Sequence, residues 1–540
     1  MALVTLSPIQ ARLTWAAVLI GVALRVWAYA ADSSFWLDEI LLARNILTLP
    51  LAHLLTEPLY LDQVAPRGFL LVEKLIAGTL GGGELALRLF PFLAGIAGLL
   101  LFRRLAERTL GGWPVPFAVG LMAIGIPFIR YAIEVKQYHL DATASILLLL
   151  VALSLREREP GNTRLALAAL AGFLVPWFSQ ASVLVMAGIG LAFALMWAVS
   201  RDRPTARVLL IVMPVWALSA VIAVAVGRDS MTPSTSEFMQ DFWGSGFFPL
   251  PLDSVADLRW FLDQALSAFA DPFLLRYAWP ALYLALAVIG MIRCWRTRRD
   301  VALLLLGPLL VALGAAIAQQ YPFRGRLMFY LLPGLLIAVA AGAESMRQAA
   351  MRLHPAAGNA LLAGLLVPPV LAIAESPPPY ENEPTRTFLE HLRQHRRPGD
   401  AIHLFPLSRI GVLFYGPRYG LHPDEWRTSV CDRNDTRAFL RDLDRYRGIA
   451  RLWLISSSSR AYRSARAAVR QYLGTIGVRR DSLSFPSLQF GSAWLELYDL
   501  SDSTRLRRAN AESFPVQPMP TDPRPGCRPW AAPSPMDSFP

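Results

Sequence analysis

The feature that most constrains this chain is a series of apolar runs, each near bilayer-crossing length, recurring from residue 11 to about residue 374. In hydrocarbon a backbone must satisfy its own polar groups, and a helix of about 20 apolar residues does so within one segment. Composition agrees: the 540 residues are 54% hydrophobic and 17% charged, a balance foreign to a soluble enzyme. After residue 375 the text changes to Pro, Arg and Asp. The predicted fold class is therefore a polytopic α-helical membrane protein with a small C-terminal α/β domain. The first run, 12–29, lacks a small-residue cleavage site and is followed by many others, so it reads as a retained span.

Charge orients the spans. The net charge of +12 is almost wholly arginine, with Lys74 and Lys136 as the two lysines. FRRLAER (102–108), RERE (156–159) and RCWRTRR (293–299) each follow an apolar run and mark the cytoplasmic side. Alternation from these points predicts about eleven spans, with the N-terminus inside and the C-terminal domain outside. It places a first external loop at 31–67 and a second large one at 227–276, within a membrane domain spanning 1–375. Residues 68–80 are short and carry Glu73 and Lys74, which predicts an interfacial or half-inserted segment.

Beyond 375, helix-like pieces (385–396, 436–447, 464–474) alternate with strand-like ones (400–407, 450–458, 492–500), predicting an extracytoplasmic α/β domain over 376–501. It lacks a Gly-rich phosphate fingerprint. The Pro-, Arg- and Ser-rich stretch 502–540 reads as a disordered tail. Basic residues scattered over loops form no nucleic-acid module. Cys294, Cys431 and Cys527 show no metal-ligand spacing, His53 and His139 have no partner at ligand distance, and the sequence demands no metal or cofactor.

The chemistry gathers outside the membrane. Residues 33–44, SSFWLDEILLAR, carry Asp38 and Glu39 side by side immediately after the first span. Adjacent carboxylates repel and lose hydration near hydrocarbon, which makes the pair expensive to keep. A structural reading is also open: Ser33 or Ser34 as N-cap, with the acids facing a helix dipole. In RYAIEVKQYHLD (130–141), a helix starting at Glu134 would align Glu134, Tyr138 and Asp141 on one face. The alternative there is neutralisation of both acids by Arg130 and Lys136. Arg324 and Arg326, in YPFRGR (321–326), lie on the side disfavoured for cations, where guanidinium forks suit a lipid phosphate or diphosphate. Arg67 is a weaker phosphate candidate beside its reading as a snorkelling arginine. Together these residues suit displacement at a sugar anomeric carbon: a carboxylate deprotonates the acceptor hydroxyl and cations stabilise a departing phosphate. With no nucleotide outside the cell, a lipid-linked donor is the sensible one.

At these residues the sequence resembles the GT-C glycosyltransferases, particularly the protein O-mannosyltransferases and lipid A aminoarabinose transferases. Within them it is most similar to bacterial dolichyl-phosphate-mannose-mannosyltransferase-like proteins, on WLDE, QVAPRGFLLVEKL, EVKQYHLD and YPFRGR. The resemblance covers roughly residues 10–345. It implies inverting transfer from a polyprenyl-phosphate sugar to a lipid, glycan or protein acceptor. Asp38 is then the base, Glu39 stands beside it, and Glu134 matches the second acidic position. Lys136, Tyr138, Asp141, Arg67, Arg324 and Arg326 are the candidates for holding sugar and lipid phosphate. Related transferases often place a basic residue before Pro-Pro at the end of the first loop; here the text reads Ala-Pro-Arg-Gly, so Arg67 is displaced from that pattern. Two competing readings are a transporter or lipid flippase, for which midspan charges would be expected, and a non-catalytic scaffold.

Overall fold

The structure, a computed structural model, describes residues 6–157, 159–273, 279–432, 434–458, 462–486 and 491–516. It divides into two units: Met1–Ala31 with Asn45–Pro378, and Asp32–Arg44 with the chain from Pro379 onward. The segment carrying Asp38 and Glu39 thus belongs with the C-terminal unit, and not with the rest of the first loop.

The first unit is helical. Eight helices among the described residues are long and apolar enough to cross a membrane, or nine if the bent pair Pro114–Ile124 and Ile126–Ile133 counts as one span. Large apolar side chains such as Leu19, Leu210 and Val221 stay exposed on these helices, as a lipid-facing surface requires. Helix contacts rely on missing side chains. A methyl group at Gly290 would overlap the Ala338 carbonyl, and one at Gly342 the Leu286 carbonyl, so Trp279–Thr297 and Leu332–Met351 pack backbone to backbone. Gly188 and Gly307 do the same for Ser182–Ser200 against Arg299–Ile317. The 59° bend falls at Gly125, whose ψ of 115° leaves the helix two residues before Pro127. Residues 68–80 form a helix, Arg67–Leu80, of 14 residues. The second large loop is itself structured, with helices Pro233–Trp243 and Arg259–Phe273, and Phe248 set edge-on to Trp260 at 5.6 Å.

The second unit contains a five-stranded sheet: β1 (Ala401–Leu404), β2 (Arg427–Thr428), β3 (Leu452–Ser456), β4 (Val478–Phe485) and β5 (Ala493–Asp499). Their order is β2-β1-β3-β5-β4, with β1 parallel to β2 and β3, and β5 antiparallel to β3 and β4. Every residue of β3 is buried, as a central strand covered on both faces should be. Thr385–His395, Thr436–Asp444 and Arg463–Ile476 turn apolar faces inward, placing Phe388, Phe439 and Tyr472 in contact with the interior. The expectation of a disordered tail from 502 is corrected for its first part. Ser503–Leu506 is helical, Phe514 packs on Tyr472 at 5.3 Å, and Arg437 donates 2.7 Å to the Ala511 carbonyl. Residues 517–540 lie outside the described residues.

Candidate functional site

In the second unit, Asp38 and Glu39 occupy the first turn of the helix Leu37–Thr48. The cap position of that helix falls at neither Ser33 nor Ser34. Trp36 takes the cap position, its carbonyl accepting from Glu39 and Ile40 at 2.9 and 3.0 Å. Four consecutive backbone N–H groups then each donate to a side-chain oxygen. Ser34 donates to Glu381 at 3.0 Å, Phe35 to the Tyr415 hydroxyl at 2.8 Å, Trp36 to Glu39 at 3.3 Å, and Leu37 to Glu383 at 3.1 Å. In return the Arg386 N–H donates 3.2 Å to the Ser34 hydroxyl, and its guanidinium pairs with Asp32 at 3.1 Å. The acidic pair is thereby divided. Glu39, 1% exposed, turns back onto the backbone of its own turn, whereas Asp38 is half-buried. Glu383 is buried, and desolvation, with the nearby Glu39 charge, pushes its carboxyl up to about 8 against the pull of the Leu37 N–H and Arg466.

In the first unit the second acidic segment departs from the expected helix. Glu134 is not on it: the helix begins at Tyr138, after a 3-10 turn at Tyr131–Ile133 that leaves Glu134 extended at φ −114°, ψ 138°. The Glu134 carbonyl accepts from Lys136 at 2.7 Å, a tight turn incompatible with helix. Glu134 is consequently free of the i, i+4 relation to Tyr138, and pairs with Arg130 at 2.7 Å, both side chains 4% exposed. Neutralisation by Arg130 therefore holds for Glu134, while Lys136 goes instead to Gln63, donating 2.6 Å to its amide oxygen. Asp141 accepts 2.6 Å from Ser179.

An aromatic seam joins this segment to YPFRGR. Phe329 stands 4.8 Å from Phe128, 5.0 Å from Tyr131 and 5.9 Å from His139. That seam carries Arg326 to a position over Tyr138 at 5.1 Å, with Trp243 on another side at 5.5 Å. Arg324, two residues away, diverges to the Ser245 hydroxyl and is exposed. Arg67 is clasped between the Leu54 carbonyl and the Ser230 hydroxyl, each at 2.6 Å, which ties the first loop to the start of the second. The first unit thus gathers Arg130, Glu134, Tyr138 and Arg326 by contact or charge, Lys136 beside Gln63, and leaves Asp141, Arg67 and Arg324 on other partners. Sequence reasoning did not find Gln63, Ser179, Glu381, Glu383 or Tyr415. Gln63 sits inside the quoted QVAPRG text; the others carry no local signal. Among the described residues no three His, Cys, Asp or Glu side chains are grouped to hold a metal ion.

Fold and residues define a polytopic helical membrane protein with an α/β unit that holds an acidic helix start. No family model matches the sequence, and no curated protein matches it significantly. Solved structures do resemble it. One is the archaeal oligosaccharyltransferase AglB from Archaeoglobus fulgidus in complex with an inhibitory peptide and a dolichol-phosphate: 14% identity, covering 90% of this chain and 74% of that one, TM-score 0.47. Another is ArnT from Cupriavidus metallidurans in the apo state, at 14% identity, 92% and 99% coverage and TM-score 0.42. The same protein bound to undecaprenyl phosphate gives 14%, 91% and 98%, and 0.44.

Proposed function

We propose that this protein is a membrane glycosyltransferase of GT-C type, moving a sugar from a polyprenyl-phosphate donor to an acceptor hydroxyl on the extracytoplasmic face. Asp38 is the general base. It takes the proton of the acceptor O–H as that oxygen attacks the anomeric carbon, the bond from that carbon to the phosphate oxygen breaks, and polyprenyl phosphate leaves with the electron pair. Attack opposite the leaving group inverts the centre. The observation that carries this reading is the division of the acidic pair: Glu39 caps its own turn at 3.3 Å while Asp38, on a helix start fixed by four hydrogen bonds, is half-buried. A base must be held in one direction, and the bonds to the backbone before Asp38 support this reading.

Arg130, Lys136 and Arg326 supply cations for the lipid phosphate, with Tyr138 and Glu134 orienting them through the contacts described. Asp141 contacts sugar hydroxyls. Arg67 keeps the loop in place. Arg324 is a secondary phosphate contact at the surface. The topology is about eleven spans, with the shorter Asn162–Leu174 and the arginine-ended Trp279–Thr297 crossing beside the eight long helices and the bent pair. The α/β unit lies outside a bacterial inner membrane.

The test is transfer in membranes supplied with labelled polyprenyl-phosphate mannose and, separately, other polyprenyl-phosphate sugars. Asp38→Asn is expected to lower turnover by about 10²–10⁴-fold while donor binding persists. Transfer from no donor, with the variant indistinguishable from wild type in cells, would remove the transferase reading and favour a scaffold or transporter.

A further inference from the structure

The α/β unit has no role so far beyond the sheet itself, yet the acidic helix depends on it. A helix leaves its first N–H groups without intrahelical partners, and a local Ser, Thr, Asp or Asn usually accepts from one of them. Here Ser34 lies two residues ahead of the cap position at Trp36, and its hydroxyl accepts from the Arg386 N–H. The first N–H of the helix, that of Leu37, goes to Glu383, and those of Ser34 and Phe35 just before the cap go to Glu381 and Tyr415, residues 346 to 380 positions away in the chain.

We propose that Glu383, with Glu381 and Tyr415, is a positioning element of the α/β unit that clamps the first turn of Leu37–Thr48 and so fixes the direction of the Asp38 carboxylate. The backbone carrying Glu383 is itself stiff. Pro384 follows directly, the Thr385 N–H donates 2.8 Å back to the Glu383 carbonyl, and the helix Thr385–His395 begins there with Phe388, Leu389 and Leu392 buried. Tyr415 is wholly buried, and Phe414 beside it stacks edge-on to Phe35 at 6.1 Å. The same turn is held from both sides, because Arg386 engages Ser34 and Asp32 upstream of the point that Glu383 holds. Leu37, the residue immediately before Asp38, is bonded directly to Glu383. A shift of this bond by an ångström turns the Asp38 side chain off its line. Such a displacement is enough to cost a positioned base up to about 10²-fold in rate.

The inference rests on the transferase reading for its consequence in turnover, while the clamp itself is a property of the backbone. The experiment reads both on the full chain in detergent or nanodiscs. Amide hydrogen exchange over 33–44 is compared for wild type, Glu383→Ala, Glu383→Gln and Tyr415→Phe. Exchange is expected to rise about tenfold or more in Glu383→Ala and in Tyr415→Phe, and to stay near wild type in Glu383→Gln, whose amide oxygen still accepts. In the transfer assay, Glu383→Ala lowers kcat about tenfold at unchanged donor KM, and Gln restores it. Tyr415→Phe, which removes one hydroxyl without changing shape, covers the case in which Glu383→Ala fails to fold. Unchanged exchange in both Ala and Phe variants overturns the clamp. Lost protection with kcat intact overturns the positioning role. Absence of transfer by wild type from any donor rejects the transferase reading instead, and leaves the clamp to be decided by exchange.

Discussion

Glu383 accepts an N–H bond well as a neutral acid and pays to be charged, so its titration is coupled to folding. Its folded-state value, about 8, lies above the ordinary 4.5, and the groups acting on it are Glu39, the Leu37 N–H and Arg466. The folded protein therefore holds a proton that the unfolded chain releases, and stability falls as pH rises from about 4.5 through about 8. His403 in β1 acts oppositely: burial outweighs the attraction of Asp442 and lowers it from 6.5 to about 4, so stability falls as pH drops through that window. Between pH 6.5 and 8 the Glu383 effect is no longer opposed by that of His403. The melting temperature is expected to decline across that interval in wild type and to decline less steeply in Glu383→Gln, as differential scanning fluorimetry would record. Glu73 presents a different residue-scale case. It is fully buried in Arg67–Leu80, and neither carboxyl oxygen has a hydrogen-bond partner among the described residues. Glu73→Met should raise stability by about 1–3 kcal/mol, because an apolar side chain of similar volume removes a buried group that nothing satisfies. A lower melting temperature in that variant would contradict this account.

At the scale of elements, the backbone-to-backbone crossing of Trp279–Thr297 and Leu332–Met351 tolerates no side chain at its centre. Gly290→Val should cost about 1–3 kcal/mol or prevent assembly, whereas Gly364→Ala, with nothing within 4 Å of the added carbon, should leave the melting temperature alone. These helices were legible as apolar runs, since hydropathy reports burial in lipid or protein alike. The break before Tyr138 was not. Periodicity extends a helix back through Glu134, and only the turn closed by the Glu134 carbonyl and Lys136 N–H stops it. In the α/β unit, β1, β3 and β5 announce themselves by apolar content. The strand β4, VRRDSLSF, does not, because it is an edge strand rich in charge, whose Arg479, Arg480 and Asp481 pair with Glu496, Asp499 and His391. The candidate site divides the same way. Asp38 and Arg326 are conspicuous as charges beside apolar runs, but the acids that hold the Asp38 turn read locally as an ordinary polar linker.

At the scale of the whole molecule, each unit is assembled from pieces distant in sequence, and the unit holding Asp38 takes 13 residues, Asp32–Arg44, from between two parts of the other. A chain truncated after Pro378 keeps every long span but loses Glu381, Glu383 and Tyr415. Limited proteolysis within 33–44 is expected to accelerate about tenfold in that truncation, a measure of local opening. Equal rates in truncated and full chains would mean that the helix start stands unaided.

The clamp also sets an order of events. Residues 33–44 leave the ribosome long before Glu383, and at about 5–20 residues per second the interval is roughly 20–70 s. Throughout that time the newborn acidic turn lacks Glu381, Glu383 and Tyr415 and, of those four N–H bonds, keeps only its own from Trp36 to Glu39. On the reading proposed above, the direction of Asp38 is set only once residues 381–415 have been made and folded.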